Sequence, residues 1–199
     1  MRCAPFLMAG CVFLCSMAIA QTKEASAGKD QKDNAALQAM YDADQSARSG
    51  KTIDWSKLGP EDAKRRAEVH RMLEAGEVRT ANDYWHAAMV FQHGQAADDY
   101  LLAHVLAVDA ISLGSKDARW LSAATLDRYL LAIKQPQIYG TQFRSPGKGP
   151  LAQETLNPSL VSDSMRAILC VESKAEQLKM VDDVNHGGEF RSTSIDDCK

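Results

Sequence analysis

Between residues 34 and 185 the apolar residues of this chain return at steps of three and four, the spacing that gives a helix one buried face. Leu37, Met40 and Tyr41, continued by Asp44 and Arg48, predict a first helix that ends before Gly50. A loop holding Trp55 follows. Pro60, tolerated at a first helical position, opens a second helix that runs to about Gly76 with Glu61 and Asp62 at its positive end. Thr80 or Asn82 caps a third, in which Trp85, Ala88, Met89 and Gln92 share a face until Gly94 stops it. The fourth covers 96–113 with Leu101, His104, Val105, Val108 and Ile111 as its stripe, and the fifth covers 116–134 with Trp120, Ala124, Asp127 and Leu131 on one side.

Pro136 ends the fifth helix, and residues 137–158 hold most of the remaining glycine and proline, so they read as one long loop, a feature that is usually functional or mobile in a compact domain. Helix resumes over 159–171 and 172–184, before the Gly187-Gly188 break. No strand alternation is visible. Short connections predict an all-α single domain of antiparallel helical hairpins, a bundle or a short solenoid-like array with one long loop. Gly94 and Gly114 both close apolar helices, but they lie too near one another for a repeat of about 34 residues, so a true repeat array is not expected.

The ends of the chain have a different character. Arg2, an apolar stretch over 4–17 and the small-residue triplet Ala18-Ile19-Ala20 before Gln21 have the layout of a cleavable secretory signal, 1–20. That stretch is too short to span a bilayer, and no later segment is long and apolar enough, so no membrane span is expected. A lipoprotein reading through Met8-Ala9-Gly10-Cys11 has too few apolar residues before the cysteine. Residues 21–33 have no apolar period and read as a disordered spacer, 34–185 as the helical domain, and 186–199 as a polar tail.

Processing changes both cysteine content and charge. Cys3, Cys11 and Cys15 leave with the signal, so Cys170 and Cys198 are the only mature cysteines, and in an oxidising compartment they predict one disulfide, the alternative being a buried Cys170 thiol with a frayed Cys198. Cleavage after Ala20 removes 20 of 199 residues and moves the formal charge from −3 to −4. Basic residues are interspersed with acids, which excludes the concentrated basic surface that nucleic-acid backbones require.

Candidate chemistry is concentrated in two places. Asp127-Arg128 interrupts an apolar helix just before Gln137-Ile138-Tyr139-Gly140-Thr141-Gln142, whose amide, phenol and hydroxyl groups are the partners that buried charges need. Arg128 is the natural anchor for a carboxylate or phosphate, with Asp127 orienting it, and Gly140 permits the turn that brings Tyr139, Thr141 and Gln142 back toward the helix. The second place is the first helix, where Asp44, Gln45 and Arg48 continue an apolar face, either as a helix-end ion pair or as part of a buried network. His93, after Gln92, stands at a helix C-terminus where the dipole favours imidazolium, and it is the candidate acid or anion contact. His70, His86 and His104 have packing or surface explanations.

Asp127 as a base with Tyr139 or His93 as partner is the candidate catalytic set, and Arg128, Gln92, Gln137, Thr141, Gln142, Asp44 and Arg48 are the candidate ligand contacts. The zinc-helix spacing, the Gly-x-Ser-x-Gly elbow and the phosphate-loop pattern are all absent, so no metal or cofactor is expected.

Taken in order, Asp44-Gln45 with Arg48, Gln92-His93, Leu126-Asp127-Arg128, Gln137 with Tyr139-Gly140-Thr141-Gln142, and Asp163 with Arg166 resemble a widespread, mostly bacterial family catalogued only as a domain of unknown function. The resemblance covers about residues 37–178 and implies a shared site without a reaction. Family members often read Gln-His-Ala-Asp where this chain has Gln92-His93-Gly94-Gln95. Two functional readings stand side by side. One is an exported domain that binds a small polar or anionic ligand, with hydrolysis open to it, between the third and fifth helices and the 137–142 loop. The other is a non-enzymatic protein-interaction module whose polar cluster is structural. A solvent-reachable pocket touching Arg128, His93 and Tyr139 favours the first, and a fully satisfied buried cluster the second.

Overall fold

The computed structural model describes residues 31–49, 53–147 and 149–190. The signal segment, most of the spacer and the chain beyond 190, with Cys198, lie outside the described residues. Those described form seven helices: α1 (Ala35–Ser46), α2 (Trp55–Glu74), α3 (Ala81–Phe91), α4 (Ala97–Ser112), α5 (Ala118–Ala132), α6 (Asp163–Ile168) and α7 (Lys174–Asn185). The fold is all-α in class. Among the described residues no helix is long and apolar enough to cross a membrane.

α4 lies between α3 and α5, packs most extensively on both, and α1 and α2 flank α3. The contacts are lined by small residues. Ala87 and Ala88 of α3, Ala103, Ala107 and Ala110 of α4, and Ala123 and Ala124 of α5 are completely buried, which lets helix backbones approach closely around Leu37, Val90, Phe91 and Leu106. α5 is enclosed, with Leu121, Ser122, Ala123, Ala124 and Thr125 buried in succession. Its hydroxyls stay satisfied within the helix: Thr125 Oγ1 donates to the Leu121 carbonyl at 2.8 Å, and Ser122 Oγ to that of Arg119 at 2.7 Å. Asp83 ties the helix starts together, because its carboxylate closes the capping box with Thr80 and also accepts the Asn34 amide at 2.7 Å.

Several expectations need correction. α2 begins at Trp55, with Asp54 as its cap, so Pro60 lies inside the helix and Trp55 is not in a loop. Near the helix start the missing proline N–H removes only one rung. On α4 the predicted stripe is displaced: Leu101, Val105 and Val108 are exposed, and the alanine face with Leu106 is buried. The 137–158 segment is not structureless. It carries a two-stranded antiparallel ribbon, β1 (Phe143–Arg144) with β2 (Ala152–Gln153), and a parallel bridge from Gln137 to Leu156. The helix expected over 159–171 is only the short α6. At the spacer's end Asp33 accepts hydrogen bonds from Thr80 Oγ1 at 2.6 Å and Asn82 at 2.9 Å, so contact with α3 begins one residue before Asn34.

Candidate functional site

Where α5 meets the following loop, the chain folds around one carboxylate. Asp127 Oδ1 accepts the backbone amides of Ile138 and Tyr139 at 2.8 and 3.0 Å, and Oδ2 accepts those of Gly140 and Thr141 at 2.9 and 3.0 Å and the Thr141 hydroxyl at 2.8 Å. Four consecutive amides can converge only if the chain turns tightly, which Gly140 allows with φ +88°. A Cβ there would collide with the Gln177 and Gln153 side-chain amides, so any larger residue would force these hydrogen-bonded groups to shift. Gln137 closes the turn from below: its Nε2 donates to the carbonyls of Gln142 and Glu154, and its Oε1 accepts the Gln142 amide.

The turn's outward carbonyls are held by α6 and α7. Arg166, fully buried, donates through Nε to the Tyr139 carbonyl, through Nη2 to that of Ile138 and through Nη1 to that of Val161. Its Nη1 also reaches Asp163 at 3.2 Å. Gln177 Nε2 donates to the Tyr139 and Glu172 carbonyls, and its Oε1 accepts from Gln153 at 2.7 Å.

A second cluster surrounds the C-terminus of α3. Asp44 is its hub: Arg48 Nη1 lies 2.8 Å from Oδ1, and Gln45 Nε2 donates to Oδ2 at 2.8 Å. His93 Nδ1 stands 2.9 Å from Oδ2, off the line that a hydrogen bond requires. Arg48 Nη2 also meets Asp62 Oδ2 at 2.6 Å, and Arg65 binds the other oxygen of Asp62. Burial pushes the Asp62 carboxyl up, but the bonds and charges of Arg48 and Arg65 outweigh it and hold the group below its ordinary value. Arg66 reaches the His93 carbonyl at 3.5 Å and Asp99 at 3.6 Å.

Arg128 joins the clusters. Its Nη1 donates to the Gln92 carbonyl at 2.8 Å, at the end of α3, and its Nε to Gln142 Oε1 at 3.1 Å. Burial pulls the guanidinium below its ordinary value, Arg48 adds to that, and Tyr100 opposes it. A guanidinium does not deprotonate in proteins, so the strain is borne as an unneutralised charge. No carboxylate among the described residues forms an ion pair with it. Arg128, Thr141 and Gln142 form the polar side of a cleft of about 250 Å³ whose other walls are Trp120, Phe143, Leu151, Glu172, Met180 and Phe190. Phe190 meets Phe143 edge to face at 5.8 Å, which puts the start of the expected polar tail on the cleft wall.

Of the residues singled out in sequence, Asp44, Arg48, Gln92, His93 and Arg128 thus gather at the α3 end, and Asp127, Gln137, Thr141 and Gln142 at the turn. Two expected roles do not survive. Asp127 does not orient Arg128, because its carboxylate points the other way into the amide cradle; with five donors on it, it has no oxygen free to act as a base. Tyr139 belongs to the turn through its backbone, and it is not among the residues that line the cleft. Burial first, then Asp127, raises its phenol above the ordinary value against the pull of Arg166. Gln137 is occupied as a brace and does not line the Arg128 cleft.

Arg166, one of the pieces of the family resemblance, supports the turn, whereas Asp62, Arg65 and Gln177 were given no part in sequence, although Asp62 and Arg65, three apart, carry the spacing of a helical ion pair. His104 holds α4 to α5, with Nδ1 2.8 Å from the Ser122 carbonyl, and His86 is stacked on Tyr41. Among the described residues no group of three or more His, Cys, Asp and Glu side chains could hold a metal ion. Compared with family models, curated proteins and solved structures, the chain matches none.

Proposed function

We propose that this is an exported helical domain that binds a small anionic ligand in the cleft beside Arg128. The observation that carries the reading is a largely desolvated guanidinium with no carboxylate ion-pair partner among the described residues, on the wall of a cleft of mixed polar and apolar lining that also holds Glu172. Leaving a buried charge unpaired is costly, and an oxyanion would pair it. Thr141 and Gln142 supply further polar contacts, while Trp120, Phe143 and Phe190 offer walls to an apolar group. Export rests on the leader over 1–20, and the disulfide between Cys170 and Cys198 on their being the only cysteines left after cleavage. Membership of the bacterial family of unknown function is proposed on the motif pieces, which gather into two clusters bridged by Arg128.

The other reading, a non-enzymatic interaction module, is favoured by the turn itself: Asp127 and Gln137 are fully occupied within the protein. The cleft and the turn therefore take different roles in this proposal, binding for Arg128 and support for Asp127. Calorimetry with benzoate and with inorganic phosphate tests it. Binding that disappears in a folded Arg128→Gln variant supports the anion site. Absence of binding by the wild-type protein, with Arg128→Gln strongly destabilised, favours the structural module.

A further inference from the structure

We propose that the Arg128 cleft takes a zwitterion, a free α-amino acid with an aromatic side chain, whose carboxylate meets Arg128 and whose ammonium meets Glu172. The inference rests on the anion reading above and names its ligand class: the anionic group is a carboxylate, and the same molecule carries a cation.

The two ends of the seat are fixed by different parts of the chain. On Arg128, Nε and Nη1 are spent on Gln142 Oε1 and the Gln92 carbonyl, which holds the guanidinium in place. Nη2 makes no hydrogen bond among the described residues, yet it is not one of the enclosed unpartnered atoms, which are Arg65 Nε, Trp85 Nε1, His86 Nδ1 and His93 Nδ1. It is therefore the nitrogen that solvent, and a ligand, reaches. Glu172 follows buried Val171 and precedes Ser173, the cap of α7. Its carbonyl accepts Gln177 Nε2 at 3.0 Å, and the same Nε2 donates to the Tyr139 carbonyl, so the backbone of Glu172 is tied to the turn beside Arg128.

Opposite charges on one cleft decide the ligand. Arg128 and Glu172 both line the cavity of about 250 Å³ but form no ion pair with one another, which leaves room between them. A simple anion would satisfy Arg128 and be repelled by Glu172, and a simple amine would do the reverse. A molecule with both charges meets each with its opposite, through hydrogen bonds of the strong, charge-assisted kind. Glu172 has a further interaction in the protein, and one more donor lies within its capacity, because a carboxylate offers about four lone-pair directions. The volume lies below the roughly 300 to 1,000 Å³ of sites for drug-sized ligands, so the ligand is small and its charges are close together, as an α-amino acid holds them on one carbon. Trp120, Phe143 and Phe190 flank the same cavity, and aromatic walls favour an aromatic side chain. No bond to the ligand is made or broken.

Calorimetry of the wild-type protein near neutral pH with phenylalanine, 3-phenylpropanoate and N-acetylphenylalanine tests this without any mutation. The second lacks the ammonium and the third has it neutralised, while all three keep the ring and the carboxylate. Phenylalanine should bind about ten- to a hundredfold more tightly than either, the range that a hydrogen bond to a charged group is worth. In a folded Glu172→Gln variant that gap should close, and in a folded Arg128→Gln variant binding of all three should disappear. The ligand comparison decides even where the Glu172 variant does not fold. If an anion without an ammonium, including benzoate or phosphate, binds in an Arg128-dependent way at least as tightly as phenylalanine, the inference is overturned and the anion site stands. An unchanged gap in folded Glu172→Gln overturns the assignment of the ammonium to Glu172. If none of these ligands binds, the anion site falls with it.

Discussion

The carboxylate of Asp127 offers about four lone-pair directions and meets five donors. Asp127→Asn would turn one acceptor oxygen into a donor amide facing two or three of them. Each stranded group costs about 1 to 3 kcal/mol and at least two are stranded, so urea unfolding should report a loss of at least about 2 kcal/mol, and a loss under about 1 kcal/mol would refute the cradle. His86 makes a different prediction. Burial pulls its imidazole below the ordinary 6.5, against the opposing charges of Asp33, Asp42 and Asp83, and its Nδ1 has no partner. The unfolded chain therefore takes up a proton at a higher pH than the native protein does. Its contribution to stability is present above pH 6.5 and is lost as the pH falls below that value. His86→Phe keeps the stack on Tyr41 and removes the titration, so the loss of stability between pH 7 and pH 5 should be smaller in the variant. Equal slopes in both proteins would exclude His86 as the source.

Elements show why the sequence was readable in some places and opaque in others. Helix existence and order follow from periodicity, and the 137–142 turn was legible because glycine, amides and a hydroxyl follow an Asp-Arg interruption. The buried side of α4 was not: alanine and valine are both apolar in a pattern, and only close packing decides that Ala103, Ala107 and Ala110 face inward while Val105 and Val108 do not. Roles were opaque for a related reason. Adjacent residues on a helix point about 100° apart, so Asp127 and Arg128 serve different neighbours. The turn's outer supports, Arg166 and Gln177, arrive from helices that no spacing rule connects to it. Their coupling is measurable. Gly140→Ala introduces both a left-handed strain of about 1 to 2 kcal/mol and a clash with Gln177 and Gln153, whereas Gln177→Ala alone removes only the bonds that side chain makes and, in the double variant, also relieves its share of the clash. The double variant should therefore lose less stability than the sum of the two single ones. Strict additivity would mean that α7 does not press on the turn.

At the scale of the whole molecule, the question is what keeps α7 and the cleft wall against the α3–α5 array. Cys170, at the end of α6, is buried and has φ +60°; it is followed within two residues by Glu172 on the cleft wall. A bridge to Cys198 would close a loop of about 29 residues that includes α7 and Phe190, and on the chain-entropy estimate would stabilise by roughly 3 to 4 kcal/mol. Everything that α7 contributes would lie inside that loop: Gln177 on the turn, Met180 in the cleft, and Phe190 against Phe143. Reduction should thus have two linked effects, a lower urea midpoint and weaker anion binding in the cleft, whereas a Cys198→Ser variant should reproduce both and be insensitive to reductant. The direction is fixed by linkage, since freeing the wall lowers the fraction of molecules whose cleft is formed, and apparent affinity falls by that fraction. Identical midpoints and identical binding with and without reductant would show that Cys170 is held by packing alone and that α7 needs no covalent tie to keep the cleft closed on that side.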